Sequence, residues 1–190
     1  MNKAVFLDRD GTINVDYGYV YQPEKFDYIE GVMDSLKQLH EMGYLLIVIT
    51  NQSGIARGYY TEEAVRSLHQ KMCRELAEYG APVTHVYYCP HLTGCTCRKP
   101  LTGMFYQAAR DYDINMAQSL AVGDKLRDLT ICEQEPVEGF WITQSEEPAP
   151  DGIHKISHLR DIVTFINENT RQQYTDGKIR SVLKGKNNSQ

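Results

Sequence analysis

Five short apolar runs recur along this chain, and the segments between them have the periodicity of helices. The runs are Ala4 to Leu7, Leu45 to Ile49, Val83 to Tyr88, Leu120 to Val122 and Phe140 to Ile142. Strands that alternate with helices in this way form βαβ units, in which neighbouring strands run parallel. We therefore expect the α/β class, with a Rossmann-like three-layer sandwich around a central parallel sheet.

Helices are predicted where apolar residues recur at steps of three and four. Such stripes lie before Gly43, from Thr61 to Gly80, from near Gly103 to Asp111, over roughly Leu126 to Glu133, and from Leu159 to Ile166. Thr61 suits the N-cap of its helix, because its hydroxyl can accept a backbone hydrogen bond and two glutamates follow it. The segments 14–26, 90–102 and 133–156 are predicted to be irregular.

Length and charge limit the classes of protein to which the chain can belong. We place one domain at residues 1–170 and a basic, flexible tail at 171–190. The net charge of the chain is −5. The tail has a charge of +4, so residues 1–170 have a charge of −9. An acidic body is a poor match for nucleic acid, and no apolar run approaches the ~20 residues that span a membrane. Because no signal peptide is recognisable either, we expect a cytoplasmic protein without a nucleic-acid or membrane partner. A small chain without an evident apolar patch is further expected to be a monomer.

Polar clusters stand at the carboxyl ends of four predicted strands. They are Asp8-Arg9-Asp10-Gly11-Thr12, Thr50-Asn51-Gln52-Ser53-Gly54, Arg98-Lys99-Pro100 and Gly123-Asp124-Lys125-Leu126-Arg127-Asp128. The carboxyl ends of parallel strands meet at one edge of the sheet, where ligands bind. Asp8 and Asp10 alone would fit a solvated turn equally well. The four clusters together supply carboxylates for a hard cation and donors for an anion, a set that suits phosphoryl transfer.

Three cysteines and one histidine crowd into the loop 89–97, as Cys89, His91, Cys95 and Cys97. A cytosolic chain does not keep disulfides, and three thiolates with one imidazole suit tetrahedral Zn²⁺. A lone histidine is more often a core or surface residue, but the three cysteines favour zinc. Because four protein ligands leave no open position, we predict a structural zinc ion that pins this small loop.

The order of these motifs resembles the haloacid dehalogenase superfamily of phosphohydrolases over about residues 4–145. The segments Phe6 to Asn14, Thr50 to Gly58, Cys89 to His91 and Cys97 to Pro100 resemble one branch of it. That branch holds the heptose 1,7-bisphosphate 7-phosphatases and the histidinol-phosphate phosphatases. The segments Asn14 to Val20 and Val122 to Leu126 are more similar to the heptose enzymes. The sequence departs from both kinds of enzyme in the gap between His91 and Cys95, which is only three residues long.

The resemblance implies a Mg²⁺-dependent phosphatase that forms an aspartyl-phosphate. Asp8 would attack phosphorus, and Asp10 would protonate the leaving alkoxide and then activate water. Mg²⁺ would be held by Asp8, by the backbone carbonyl of Asp10 and by Asp124. The oxygens of the transferred group would be stabilised by Thr50, Asn51 and Lys99. Asp128 would orient Lys125 or a metal-bound water, or else be a surface residue of the fourth predicted helix.

Substrate selectivity is expected to come from loops, because the chain is too short for a large cap domain. The predicted substrate-binding residues are Asp16, Tyr17, Gly18, Tyr19, Thr50, Asn51, Gln52, Ser53, Arg98, Lys99 and Lys125. The Asp16 to Tyr19 loop would hydrogen-bond sugar hydroxyls. The planar fork of Arg98 suits a second anionic group, and Arg57 would serve the same end or lie in a solvated loop. A solvated loop is likewise the alternative for the tyrosines.

The resemblance further implies a phosphorylated sugar as the substrate. The expected reaction removes the 7-phosphate of D-glycero-D-manno-heptose 1,7-bisphosphate and leaves the 1-phosphate, a step towards the nucleotide-activated heptose of lipopolysaccharide. Histidinol phosphate is the alternative substrate, and the short metal loop favours it. A catalytically silent zinc-bearing binding module is the alternative of another class. The set of Asp8, Asp10, Lys99 and Asp124 argues against that module, which needs none of them.

Overall fold

A parallel sheet of six strands forms the centre of residues 1–171, which are the residues that the structure, a computed structural model, describes. The strands are β1 (Lys3–Leu7), β2 (Tyr44–Asn51), β3 (Val83–Cys89), β4 (Leu120–Gly123), β5 (Glu138–Ile142) and β6 (Ile153–Ile156). Their order in the sheet is β3-β2-β1-β4-β5-β6, and every pairing is parallel. The predicted α/β class, the five predicted strands and the parallel sheet are confirmed.

Helices connect most of the strands. They are α1 (Val32–Glu41), α2 (Glu62–Tyr79), α3 (Gly103–Asp111) and α4 (residues 160–171). The Thr61 hydroxyl accepts a hydrogen bond from the backbone N–H of Ala64, as an N-cap does. Gly80 ends α2 with a φ of 96°, a conformation that glycine adopts without steric cost. The cap that was predicted at Thr61 is therefore confirmed.

Both faces of the sheet are covered, which makes three layers. Val5 and Leu7 of β1 lie on one face, in a core that includes residues of α1, α2 and α4. Ala4 and Phe6 lie on the other face, in a core that includes residues of α3. Because both faces are buried, the inner strands are continuous apolar runs rather than alternating ones. The predicted sandwich is confirmed.

The prediction of one helix from Leu126 to Glu133 is wrong. The segment forms two 3-10 turns, Leu126–Asp128 and Thr130–Glu133. The Asp128 carboxylate accepts the backbone N–H of Lys125 at 3.1 Å and also binds Lys99. These bonds hold the first turn against the strand ends and favour i to i+3 hydrogen bonds over a continuous α-helix.

Strand β6 lies in the segment 133–156, which was predicted to be irregular. It pairs with β5 and is the last strand in the order of the sheet. Its sequence, Ile-His-Lys-Ile, has only two apolar residues in four, a pattern too short to predict a strand.

The remaining predictions on the architecture concern the cap, the membrane and the tail. The segments between the motifs are loops, short turns and helices α1 to α3 of the sandwich, and the described residues hold no separately folded cap between them. Within residues 1–171, no helix has both the length and the apolar character that crossing a bilayer requires. Apart from Arg171, the predicted basic tail lies outside the described residues.

Candidate active site

A cavity of about 300 Å³ opens at the carboxyl edge of the sheet. It brings together predicted residues from four strand ends, namely Asp8, Asp10, Asp16, Gly18, Tyr19, Thr50, Asn51, Gln52, Ser53, Arg98, Lys99, Asp124 and Lys125. Arg57, Tyr60, Arg127 and Asp128 also line it. Tyr17 is not among the lining residues, because its hydroxyl turns away and donates to Asp27 at 2.9 Å.

The buried amine of Lys99 is the electrostatic centre of the site. Its Nζ lies 2.7 Å from Oδ1 of Asp8 and 2.8 Å from Oδ1 of Asp128, and it donates to the carbonyl of Ile49 at 2.6 Å. The Lys99 side chain is only 2% exposed. With all three donors of the ammonium engaged, the amine and the Asp8 carboxylate are held in one arrangement.

Burial and neighbouring charges both shift the pKa values of the ionisable groups around Lys99. Burial raises the pKa of Asp8 to about 7, although the adjacent Lys99 ammonium opposes the shift. Burial disfavours the charged form of Lys99, but the Asp8 and Asp128 carboxylates outweigh it and raise the pKa of Lys99. Burial also raises the pKa of Asp124, against the opposing Lys125 ammonium 2.6 Å away. Within this cluster, the carboxylates of Asp8, Asp124 and Asp128 share only the two amines of Lys99 and Lys125, so a bound cation would offset the remaining negative charge.

Asp128 is a buried part of this cluster. Its side chain is 2% exposed, so the alternative of a surface residue is wrong. It binds the amine of Lys99 and the backbone N–H of Lys125, whereas the Lys125 side chain pairs with Asp124. Oxygen atoms of Asp8, Asp124 and Asp128 all lie within 4.8 Å of one another, close enough to surround one cation.

Asp10 is held by Arg9 and Asn14, for which no role was predicted, and by Gln52, which was predicted to bind substrate. Its two carboxylate oxygens accept from the guanidinium of Arg9 at 2.9 Å, and they also accept from Asn14 and from Gln52. Arg9 is completely buried. Asp8 and Asp10 line the cavity, whereas the Arg9 side chain between them does not. The sequence offered one signal for Arg9, its place next to Asp10, since an arginine that becomes buried requires partners.

The Thr50 to Gln52 segment positions its neighbours through side-chain amides. Asn51 donates to the carbonyl of Lys99 at 2.9 Å and accepts the Lys99 backbone N–H at 3.0 Å. This reciprocal pair fixes the backbone that carries Lys99. Gln52 donates to both Asp10 and the buried Thr50 hydroxyl, and it accepts from Tyr60.

The turn after β1 passes so close to Asp124, at the end of β4, that residue 11 must be a glycine. Its φ is +84°, and a Cβ atom there would lie 2.5 Å from Oδ2 of Asp124. Any side chain would displace the Asp124 carboxylate and strain the backbone. The glycine of the first motif therefore allows two strand ends to present their carboxylates together.

The four predicted zinc ligands form one cluster beside the cavity. The Cys89 sulfur lies 3.6 Å from the Cys95 sulfur, 3.0 Å from the Cys97 sulfur and 3.6 Å from Nδ1 of His91, which is 3.4 Å from Cys97. A tetrahedral zinc ion with ordinary bond lengths separates two sulfurs by about 3.8 Å and a sulfur from a nitrogen by about 3.5 Å. The donor set and most of its spacings therefore fit zinc. Arg98, next to the cluster, donates to the carbonyl of His91 at 3.2 Å.

Two proteins that share one name are similar in sequence to most of this chain. The chain is 46% identical to a D-glycero-beta-D-manno-heptose-1,7-bisphosphate 7-phosphatase from Haemophilus ducreyi over 181 residues, 87% of this chain and 98% of that protein. It is 49% identical to a protein of the same name from Escherichia coli over 182 residues, 87% of this chain and 94% of that protein. The chain belongs to the heptose-bisphosphate phosphatase family of the haloacid dehalogenase superfamily. The predicted resemblance is confirmed.

A family profile and a solved structure also match this chain. The family profile described as polynucleotide kinase 3 phosphatase matches residues 3–134. The solved structure of D,D-heptose 1,7-bisphosphate phosphatase from B. bronchiseptica, complexed with magnesium and phosphate, has a TM-score of 0.80 and 31% identity. The similarity covers 89% of this chain and 99% of that one. As a member of this family the chain is a phosphatase, that is, a phosphoric monoester hydrolase.

Proposed function

We propose that this chain hydrolyses the 7-phosphate of D-glycero-D-manno-heptose 1,7-bisphosphate and leaves the 1-phosphate. The observation that carries the proposal is the ion pair between Asp8, at the end of β1, and the buried Lys99, with Asp10 in the same cavity. Relatives that share nearly half of the residues are named for this reaction. The phosphorylated sugar is therefore the substrate class that sequence similarity and site chemistry both favour.

The chemistry proceeds in two transfers. A carboxylate oxygen of Asp8 attacks phosphorus, the bond from phosphorus to the sugar oxygen breaks, and Asp10 gives that oxygen a proton. Asp10 then takes a proton from a water molecule that attacks the aspartyl-phosphate, which releases inorganic phosphate and restores Asp8. Lys99 offsets the negative charge of the transferred group throughout, from a position fixed by Asn51 and Asp128.

A magnesium ion fits the residues at this edge of the sheet. Asp8 and Asp124 supply carboxylate oxygens, the hard donors that Mg²⁺ prefers, and oxygen atoms of Asp8, Asp124 and Asp128 lie within 4.8 Å of one another. We infer that these two side chains hold the ion together with the backbone carbonyl of Asp10. When bound, Mg²⁺ keeps Asp8 ionised and offsets the charge of the phosphate that approaches it.

Cations around the cavity mouth suit the second phosphate of a bisphosphate. Arg57 and Arg127 line the cavity, and neither side chain has a hydrogen bond or ion pair with the residues that the structure describes. Arg98 uses a single bond, to the carbonyl of His91, and most of its fork is free. Such arginines bind phosphate oxygens in pairs. We infer that the phosphate that is not transferred binds among these side chains.

Zinc in the cysteine cluster would have a structural role. The ligand atoms come from the end of β3 and from the loop that leads directly to Arg98 and Lys99. A closed set of four ligands orders such a loop without taking part in the reaction. We infer that zinc holds the segment that delivers these two basic side chains to the cavity.

A substrate panel tests the proposed function. The purified protein with Mg²⁺ should release phosphate from heptose 1,7-bisphosphate faster than from histidinol phosphate or from a 3′-phosphorylated oligonucleotide. Histidinol phosphate is included because the His91 to Cys95 gap is short, and the oligonucleotide because of the matching profile. A preference for either compound would refute the sugar substrate. Absence of turnover on all three would favour a silent zinc-bearing binding module.

A further inference from the structure

The Arg9 side chain contacts both the Asp10 carboxylate in the cavity and the buried ring of His69 on α2. Its Nε and Nη2 donate to the Asp10 carboxylate at 3.2 and 2.9 Å, and Nη2 also donates to the carbonyl of Val20 at 2.6 Å. Its Nη1 lies 3.0 Å from Nε2 of His69. The guanidinium is rigid and planar, so partners on three sides fix both its position and its orientation.

His69 is the acceptor that completes this arrangement. It lies on the buried face of α2 and is 5% exposed, with its ring centroid 5.5 Å from that of Tyr88. Arginine has donors only, so Nε2 of His69 must accept, which requires a neutral ring protonated on Nδ1. Burial and the Arg9 charge also lower the pKa of His69, to about 3, so the ring is neutral at physiological pH.

We propose that Arg9 and His69 are positioning residues, which hold the plane of the Asp10 carboxylate in line for proton transfer to the leaving oxygen. Arg9 grips both oxygens of that carboxylate, and His69 stops the guanidinium from rotating. Loss of the His69 acceptor would leave Nη1 buried without a partner and free Arg9 to reorient. The inference rests on the proposed function, because it requires Asp10 to be the acid.

Two substrates with different leaving groups distinguish a misplaced Asp10 from a general loss of activity. A sugar alkoxide is a poor leaving group and needs the proton that Asp10 supplies as the phosphorus to oxygen bond breaks. A p-nitrophenolate leaves as the anion and needs little assistance from an acid. The ratio kcat/KM covers the steps through release of the alcohol, so it excludes the later hydrolysis of the aspartyl-phosphate. A misplaced Asp10 should therefore lower kcat/KM for the sugar phosphate and spare p-nitrophenyl phosphate.

The experiment compares His69→Leu, His69→Gln and wild type on both substrates. We expect His69→Leu to lower kcat/KM for heptose bisphosphate about tenfold, through kcat rather than KM, and to change kcat/KM for p-nitrophenyl phosphate less than about twofold. His69→Gln retains a side-chain acceptor and should recover most of the loss. Met72→Leu, on the same buried face of α2, controls for repacking and should match wild type on both substrates.

Equal losses on the two substrates in His69→Leu, or no recovery in His69→Gln, would overturn the inference. Arg9→Lys provides a second test, because lysine keeps the charge but loses the planar fork. It should show the same selective loss on the sugar phosphate. A wild-type protein that rejects heptose bisphosphate but hydrolyses another alkyl phosphate contradicts the proposed substrate. The positioning test then runs on that alkyl phosphate, so the two failures are distinguishable.

Discussion

Two polar clusters stand side by side at the same edge of the sheet, and they are built in opposite ways. The carboxylate cluster (Asp8, Asp124 and Asp128) comes from strand ends and the turn after β4, and it meets a buried lysine. The thiolate cluster (Cys89, His91, Cys95 and Cys97) comes mostly from a loop without regular structure of its own. The first cluster opens into the cavity, whereas the second offers four side chains that could together hold one ion.

The difference indicates that the carboxylate cluster serves the reaction and that the thiolate cluster holds a loop in place. An open site can exchange its ligands and accept a substrate, but a site closed by four soft donors can only hold its loop. If this distinction holds, changes at the carboxylate cluster should remove activity and leave the fold intact. Changes at the thiolate cluster should act first on stability and only then on activity.

The largest effect is expected from Asp8→Asn. The amide is isosteric but cannot attack phosphorus, so kcat should fall on the order of 10⁴-fold or more while substrate still binds. Phosphate release and substrate affinity by calorimetry measure the two parts. Appreciable turnover by this variant would contradict the aspartyl-phosphate route.

Chelation should separate the two clusters without any substitution. Brief treatment with EDTA should abolish activity, and added Mg²⁺ should restore it, because the carboxylate cluster is open to solvent ligands. Zinc should remain bound through the same treatment, since all four of its ligands come from the protein. Metal analysis before and after treatment checks both statements. Loss of zinc together with magnesium would show that the thiolate cluster is not closed.

Substitution of Lys99 by methionine tests the buried charge. Lys99→Met keeps much of the side-chain volume but removes the ammonium that Asp8 and Asp128 share. We expect kcat to fall about 10²- to 10³-fold, as for the loss of one donor to a developing charge. Circular dichroism should show the native fold. Asp128→Asn should cause a smaller loss, because Lys99 then keeps its bond to Asp8.

Cys95→Ser should alter stability more than chemistry. We expect about one equivalent of zinc in wild type and little in the variant, with an unfolding temperature lower by at least about 5 °C. Cys132→Ser, a cysteine outside the cluster, is the matched control and should keep its zinc. An equally stable, metal-free variant with full activity would refute the structural role.

Sequence patterns predicted the fold and the meeting of the four strand ends because both depend on local periodicity and on parallel pairing. They could not predict which side chains would bind each other. The Asn51 amide lies against the backbone of Lys99, and the Tyr17 hydroxyl turns to Asp27, contacts that depend on how loops pack. Arg9 was passed over because it stands between two carboxylates that already had roles. Its burial becomes evident only once α2 packs behind β1 and places His69 against it.

A smaller effect than at Lys99, and one that involves both clusters, is expected at Arg98. Its side chain faces the cavity while it donates to the carbonyl of His91 in the thiolate cluster. Arg98→Ala should raise KM for heptose bisphosphate about 10- to 100-fold, the loss expected for a charge-assisted bond to phosphate. Initial rates at several substrate concentrations measure it, and Arg110→Ala on α3, outside the cavity lining, serves as the control.

The same variant on a substrate without the second phosphate decides where Arg98 acts. With heptose 7-phosphate, wild type and Arg98→Ala should have similar KM values, because the group that Arg98 binds is then missing. Arg98→Lys should recover only part of the loss on the bisphosphate, since an ammonium lacks the paired donors of the guanidinium. An equal defect on both substrates would mean that Arg98 serves the transferred phosphate. A defect that follows zinc loss would mean that it mainly supports the loop.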